Sequence, residues 1–99
     1  MANVCVTMTV SGITEAEAHN GLPDLRDEFQ HRSWIIMPTA KWDVGRKLIA
    51  ITVGYGSGDI DACKQAAQSE IWDCVIACIQ FSSDKISFEI EDACYAPIA

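Results

Sequence analysis

Apolar and polar residues alternate in two stretches of the chain, one near each end. The alternation runs from Asn3 to Ser11 and again from Lys85 to Asp92. Successive side chains of a β-strand point to opposite faces of a sheet, so a period of two predicts strands with one apolar face. The positions predicted to face the core are Val4, Val6, Met8 and Val10 in the first strand and Ile86, Phe88 and Ile90 in the last.

Two further stretches carry apolar residues at helical spacing. The first begins with a capping box, in which the Thr14 hydroxyl can accept from the Glu17 amide while the Glu17 carboxylate reaches back. Because Gly21 and Pro23 interrupt this stretch, it predicts either two short helices or one kinked helix. The second helix is predicted from Asp59 to about Gln80. Its apolar stripe is formed by Ile60, Cys63, Ala67, Ile71, Cys74 and Cys78.

A β-hairpin is predicted between the two helices. The segment from Ser33 to Trp42 is rich in residues favoured in strands, a turn follows at 43–45, and the segment from Arg46 to Tyr55 is again apolar. The element order is therefore βαββαβ. With right-handed crossovers this order predicts one α+β domain over residues 1–99 with a ferredoxin-like fold. Its four-stranded antiparallel sheet has the order 4-1-3-2, with both helices on one face.

Composition limits the environment in which this domain is expected to work. Ninety-nine residues, 49% of them apolar, suffice for one core. No apolar run reaches the ~18 residues of a membrane span, and the alternating N-terminus is unlike a signal peptide. A net charge of −7 disfavours nucleic acid and anionic membranes, and an odd number of cysteines, five, favours reduced thiols. We therefore expect a soluble cytoplasmic protein without nucleic-acid or membrane partners.

A glycine-rich segment, residues 53–59, stands between a predicted strand and a predicted helix, where phosphate-binding loops often occur. Gly54, Gly56 and Gly58 are spaced G-x-G-x-G, whereas the dinucleotide loop requires G-x-G-x-x-G. The helix also opens with Asp59, whose carboxylate can cap the free amides and would repel a phosphate. We therefore expect helix capping here and no bound cofactor.

The cysteines of the second helix are candidates for metal binding or nucleophilic chemistry. Cys74 and Cys78 lie one helical turn apart, but a structural zinc site needs four ligands and no nearby motif supplies the others. These two and Cys63, which lies on nearly the same stripe, are expected to be small core residues, and no metal is expected. Cys63, in the first turns of its helix, is the best placed of the thiols for a lowered pKa.

General acid or base groups are also considered. His19 and His31 have no obvious nucleophile beside them, so both are expected to be solvated surface residues. Glu89 and Glu91 alternate along the last strand and share one face, where a carboxylate pair could act. Alternating glutamates are common on solvated strands, so a structural role is favoured for them.

The second strand is predicted to lie at an edge of the sheet, yet both of its faces are apolar. One face carries Trp34, Ile36, Pro38, Ala40 and Trp42, and the other carries Ile35 and Met37. Edge strands are usually protected by charge, so these residues predict a cover from outside the chain. The uncovered face of the sheet continues through Leu48, Ala50 and Thr52 in the third strand and Cys5, Thr7 and Thr9 in the first.

These features predict a homodimer formed through the open sheet face or the edge of the second strand, with room for a small apolar ligand between the subunits. The residues predicted to form this interface or ligand site are Trp34, Ile36, Trp42, Leu48 and Tyr55. Tryptophans are common anchors of such surfaces. The alternative is that both tryptophans belong to the core.

Three functions remain open from the sequence. The first is a small non-catalytic binding or regulatory module that works as a homodimer. The second is a cofactor-independent enzyme of the dimeric α/β-barrel type, which a pocket joining His31, Trp34 or Tyr55 to a polar group would favour. The third is an acidic subunit of a larger assembly that meets a basic partner, and its association would weaken at high salt.

Overall fold

Four strands and two helices follow one another in the order predicted from the sequence. The structure is a computed structural model and describes residues 2–56, 58–79 and 86–97. Its elements are β1 (Ala2–Ser11), α1 (Glu15–Gln30), β2 (Ile36–Asp43), β3 (Leu48–Tyr55), α2 (Ile60–Cys78) and β4 (Ser87–Pro97). The sheet has the order β2-β3-β1-β4 and each neighbouring pair is antiparallel. The predicted ferredoxin-like arrangement is therefore confirmed.

The core lies between the sheet and the two helices. The even-numbered residues of β1 from Val4 to Val10 are completely buried, as their alternation predicted. They pack with buried residues from both helices, which places α1 and α2 on the same face of the sheet. The helix residues in this core are Ala18, Leu22, Leu25, Phe29, Cys63, Ala67, Ile71, Cys74 and Val75. On the predicted stripe of α2, only the end residues Ile60 and Cys78 are half-buried.

Helix α1 is one helix despite its proline. It runs from Glu15 to Gln30 with Pro23 inside, which excludes the alternative of two short helices. The predicted capping box is confirmed, with the Glu17 amide 3.1 Å from the Thr14 hydroxyl oxygen. Apolar packing on both sides of Pro23 outweighs the roughly 3 kcal/mol that an internal proline costs. The helix is thus stabilised by tertiary contacts more than by its local sequence.

Strand β2 begins later than predicted, at Ile36 rather than at Ser33. The indole N–H of Trp34 donates to the backbone oxygen of Phe29 at 2.8 Å, and the two rings meet edge to face with centroids 5.8 Å apart. These contacts hold the segment before β2 against the end of α1. The chain therefore enters the sheet at Ile36, two residues after Trp34.

Strand β3 also begins later than predicted, at Leu48 rather than at Arg46. The turn between β2 and β3 extends to Lys47, which has a φ of 56° and donates its amide to the Asp43 oxygen at 2.7 Å. A left-handed residue closes the turn, so the strand can start only after it. The prediction of a turn near 43–45 is confirmed, with its end two residues farther along.

Strand β4 is longer than predicted: it continues past Asp92 to Pro97. The added part pairs with the beginning of β1, and such long-range pairing has no signature in the local alternation. Glu91 is the extra residue of a β-bulge where the register between β1 and β4 shifts. The turn and the first strand residue predicted at 83–85 lie outside the described residues.

Candidate functional site on the open sheet face

One face of the sheet points away from both helices, and we call it the open face. Strand register defines its members, because directly opposed residues of neighbouring strands point to the same side. The odd-numbered residues of β1 belong to it, since the even-numbered ones point to the helices. Its members are Asn3, Cys5, Thr7, Thr9 and Ser11 in β1, Leu48, Ala50, Thr52 and Gly54 in β3, Ile36, Thr39, Lys41 and Asp43 in β2, and Ser87, Glu89, Asp92 and Cys94 in β4. The members from β1 and β3 include all those predicted.

A bulge in β2 places Ile36 on the open face. Ile36 lies opposite Gly54, although regular alternation back from Thr39 would turn it the other way. One extra residue in β2 accounts for this shift in register. The prediction that Ile36 shares a side with Pro38 and Ala40 is therefore wrong, because those two residues are buried on the helix side.

Three exposed apolar residues lie together at the start of β2, and we call them the apolar corner. Ile35, Ile36 and Met37 are 73%, 41% and 50% exposed. Two glycines make room for the isoleucines: a Cβ at Gly54 would lie 2.7 Å from Cδ1 of Ile36, and one at Gly56 would lie 3.1 Å from Cγ2 of Ile35. Part of the glycine-rich segment thus serves to seat this corner on the sheet.

The end of the glycine-rich segment caps α2, as predicted. The Asp59 carboxylate accepts from the Ala62 amide at 3.2 Å, which satisfies one of the free amides at the helix start. Gly58 has a φ of 128°, a backbone conformation that side chains rarely adopt. The negative charge at this cap makes the position unfavourable for an anion.

A groove of about 210 Å³ lies on the open face beside the apolar corner. It is lined by Asn3, Val4, Cys5, Ile36, Met37, Thr39, Thr52 and Gly54. Pockets that enclose a ligand usually have at least roughly 300 Å³, so the groove of a single chain is too small to surround one. A second surface laid over this face would close it.

The outer edge of β2 is poorly suited to the addition of another strand. Arg26 of α1 donates from Nε and Nη2 to the backbone oxygen of Ala40, at 3.2 and 2.9 Å. Pro38, two residues earlier and pointing the same way, has no amide hydrogen. Pro38 therefore offers no N–H to an added strand, and the carbonyl oxygen of Ala40 is already occupied by Arg26. Of the two predicted association routes, the edge of β2 is therefore the less favourable one.

An ion pair covers one end of the open face. Arg46, in the turn before β3, donates to the carboxylate of Glu91 on β4, at the far edge of the sheet. Leu48 and Thr9 lie at this end, and they are only 9% and 7% exposed although they point away from the helices. Glu91 was also considered as one half of a carboxylate pair with Glu89. Its ion pair with Arg46 opposes that role, because the charge of Glu91 is already neutralised.

The remaining charges of the open face are divided between its two edges. Lys41 lies on β2, and no ion-pair partner for it is found within residues 2–56, 58–79 and 86–97. Glu89 lies in the same cross-strand row on β4, through Ala50 and Thr9, and Asp92 follows on the same strand. Asp43 follows Lys41 on the same face of β2, so the β2 edge carries one charge of each sign, whereas the β4 edge carries two negative charges.

The structure places both predicted tryptophans on the helix side of the molecule. Trp34 lies half-buried against Phe29, as described above. Trp42 is half-buried too, and its indole N–H donates to the Glu15 carboxylate at 3.1 Å. Each indole is thus engaged with α1 and contributes nothing to the open face.

The other three predicted site residues are also separated from one another. Tyr55 points to the helix side, where its hydroxyl donates to the Glu70 carboxylate at 3.5 Å. Burial, followed by the charge of Glu70, raises the pKa of Tyr55 above its ordinary value. Ile36 and Leu48 share the open face but lie at opposite ends of it. Of the five residues, only Ile36 contributes to the exposed apolar surface.

The five cysteines all lie among the described residues, and none of them forms a disulfide. Burial, with a smaller effect from Asp59, raises the pKa of Cys63, and burial raises the pKa of Cys74 to about 11. A nucleophilic thiol needs a lowered pKa, so the environment of Cys63 opposes the chemistry considered for it. Within the part of the chain that the structure describes, no cluster of three or more histidine, cysteine, aspartate or glutamate residues could hold a metal ion.

Both histidines belong to the surface of α1. Nε2 of His19 lies 3.9 Å from the Glu15 carboxylate. His31 caps the C-terminus of the helix, with Nδ1 2.8 Å from the backbone oxygen of Asp27. Both rings are exposed, as predicted, and neither lies on the open face.

Neither a protein-family model, nor a characterised protein, nor a solved structure matches this chain. Among the described residues, no helix has both the length and the apolar character to cross a membrane. Function is therefore inferred from the geometry of the open face.

Sequence reasoning missed three features of this face. The glycines at 54 and 56 held a signal, since two glycines in a strand often mark the close approach of another group. Arg26 and the pair formed by Arg46 and Glu91 had no such signal, because their partners are distant in sequence.

Proposed function

We propose that this protein is a non-catalytic binding module that works as a homodimer, with the open face as its interface. The apolar corner carries the proposal: three large apolar side chains stand exposed at one place, and two glycines make room for the two isoleucines among them. Clustered apolar exposure of this kind marks interaction surfaces more often than isolated exposed residues do. The groove beside the corner is the place for a small apolar ligand, which the second copy would enclose.

The size of the open face is adequate for such a dimer. Four strands spaced ~4.8 Å apart and about eight residues long, at ~3.3 Å per residue, give a flat area of roughly 500 Å². The accessible area of a side-chain surface exceeds its flat area, so each partner would bury an area between that of weak complexes and the roughly 800 Å² of standard ones. The small uncharged side chains of Thr7, Ala50 and Thr52 allow close approach of a second sheet.

The two alternative functions gain less support from the geometry. For the enzyme, the described acid, base and nucleophile candidates are dispersed, and the pKa of Cys63 is raised where catalysis would need it lowered. For the acidic subunit, the negative side chains on the open face are balanced in part by Lys41 and Arg46. The binding module therefore remains the function that the arrangement supports best.

Native mass spectrometry of the purified protein tests the proposal. The wild type is expected at twice the chain mass of 10.8 kDa, with any retained ligand seen as additional mass. Thr52→Arg places a charge in the middle of the open face and should give a folded monomer. Gln68→Arg adds the same charge at an exposed site on α2 and should remain a dimer.

Two outcomes would reject the proposal. One is a monomeric wild type at every concentration, confirmed by light scattering. The other is a dimer that survives Thr52→Arg, since that result would place the interface elsewhere. Circular dichroism of both variants confirms that any loss of the dimer does not come from unfolding.

A further inference from the structure

We propose that the two copies pack open face to open face about a two-fold axis parallel to the strands, with Lys41 lying against the partner subunit's Glu89. This inference rests on the proposed function, which supplies the dimer, and adds its orientation. Facing sheets can be related by an axis along the strands or by one across them. The charges of the open face distinguish between these two possibilities.

An axis along the strands reverses the strand order of the upper sheet over the lower one. Strand β2 then lies over β4 of the partner, and β3 lies over its β1. Lys41 and Glu89 belong to the same cross-strand row, so the rotation brings each of them towards the other residue of the second copy. The symmetry forms this contact twice.

An axis across the strands would place each edge of the sheet over the same edge of the partner. The exposed carboxylates of Glu89 and Asp92 would then face a second set of the same carboxylates. Like charges placed together across an interface are strongly unfavourable. Lys41 would in turn lie over the partner's β2, away from the carboxylates of the partner's β4. The arrangement with the axis along the strands avoids the repulsion and gives Lys41 an acidic neighbour.

The twist of real sheets does not remove this contact. Packed sheets cross at ~30°, which shifts their outer strands by about 4 Å relative to each other, close to one residue. A lysine side chain is long enough to compensate for such a shift. Asp92 follows Glu89 along β4, so the partner presents two carboxylates in a row. These attract the Lys41 ammonium even if the two sheets are shifted by a residue along the strands.

The same arrangement also covers the apolar corner. Ile36, Gly54, Cys5 and Cys94 form one cross-strand row. The rotation therefore places Ile36 over the partner's Cys94 and Gly54 over the partner's Cys5. Apolar and small groups meet at this end of the sheet, and complementary charges meet farther along it.

Two charge reversals test the orientation. Lys41→Glu and Glu89→Lys should each weaken the homodimer by about tenfold or more, because each replaces two attractive contacts by two repulsive ones. When the two variants are mixed, with one isotopically labelled, the heterodimer regains opposite charges at both contacts. Native mass spectrometry should therefore show the heterodimer in large excess over both homodimers. Lys64→Glu, on α2, is the matched control and should leave the dimer unchanged.

Failure of the orientation and failure of the dimer are distinguishable. A monomeric wild type would overturn the proposed function, and this inference with it. A dimeric wild type whose affinity is insensitive to both reversals, or whose variants mix without preferring the heterodimer, would overturn the orientation alone. Circular dichroism of each variant shows that the fold is retained.

Discussion

Gly54→Ala perturbs the contact that seats Ile36 on the sheet. The added Cβ would lie 2.7 Å from Cδ1, 2.9 Å from Cβ and 3.2 Å from Cγ1 of that isoleucine, so the edge of β2 must move away from β3. Forcing an extra methyl group into a close contact costs about 1–3 kcal/mol. Alanine in a strand regains roughly 0.5–1 kcal/mol relative to glycine. We expect a net loss of about 0.5–2 kcal/mol in the free energy of unfolding.

Urea unfolding followed by circular dichroism measures this loss, at one protein concentration because association contributes to apparent stability. Gly45→Ala is the matched control: its new Cβ meets only Asp43 Oδ1, at an ordinary 3.6 Å, so the variant should be as stable as the wild type or more stable. In an Ile36→Ala background two of the three close atoms are gone, and the cost of Gly54→Ala should fall by about 1 kcal/mol. Equal stability of the two glycine variants, or a cost unchanged in that background, would refute the close approach.

Three further predictions concern the edge and the thiols. Arg26→Lys keeps the charge but loses the double hydrogen bond to the Ala40 oxygen, so the free energy of unfolding should fall by about 1 kcal/mol in urea unfolding and light scattering should show more aggregation. The pKa of Cys74, raised by burial from 9.0 to about 11, predicts a contribution to stability that is complete well below pH 9 and declines between pH 9 and 11, because the unfolded thiol ionises first. Cys74→Ala should make that part of the urea stability profile less steep, with the remaining slope due to the other thiols and Tyr55, whose pKa values are also raised, and an unchanged slope would contradict the assignment. The thiol of Cys94 should react with a chromogenic disulfide more slowly in the wild type than in Thr52→Arg, since the proposed dimer would cover it, and equal rates would count against a covered face.

The sequence predicted the fold well where each element carries its own periodic pattern. Alternation defined β1, and the spacing of apolar residues from Cys63 to Cys74 defined the buried side of α2. Helix α1 was harder, because Pro23 is unfavourable locally and only packing on both sides of it keeps the helix continuous. The end of β4 was harder still, since its pairing partner is the beginning of the chain.

The candidate surface was predicted only in part, for a physical reason. Its members in β1 and β3 follow regular alternation, and the structure places them as expected. Ile36 does not follow alternation, because a bulge inverts the order of sides within β2. The aromatic residues Trp34 and Trp42 were assigned by their size, but hydrogen bonds from their indoles to α1 decide where they lie. The amino-acid sequence alone does not predict which distant group an indole N–H will find as its hydrogen-bond acceptor.

The bulge in β2 has a consequence for how this surface could arise or be lost. With the same amino acids, a β2 without the bulge would turn Ile36 towards the helices. The exposed apolar surface would then consist of Ile35 and Met37 only. The apolar character of this surface therefore depends on the backbone path of β2 as much as on the side chains. Changes that straighten this strand would therefore weaken the proposed dimer while every apolar residue stays in place.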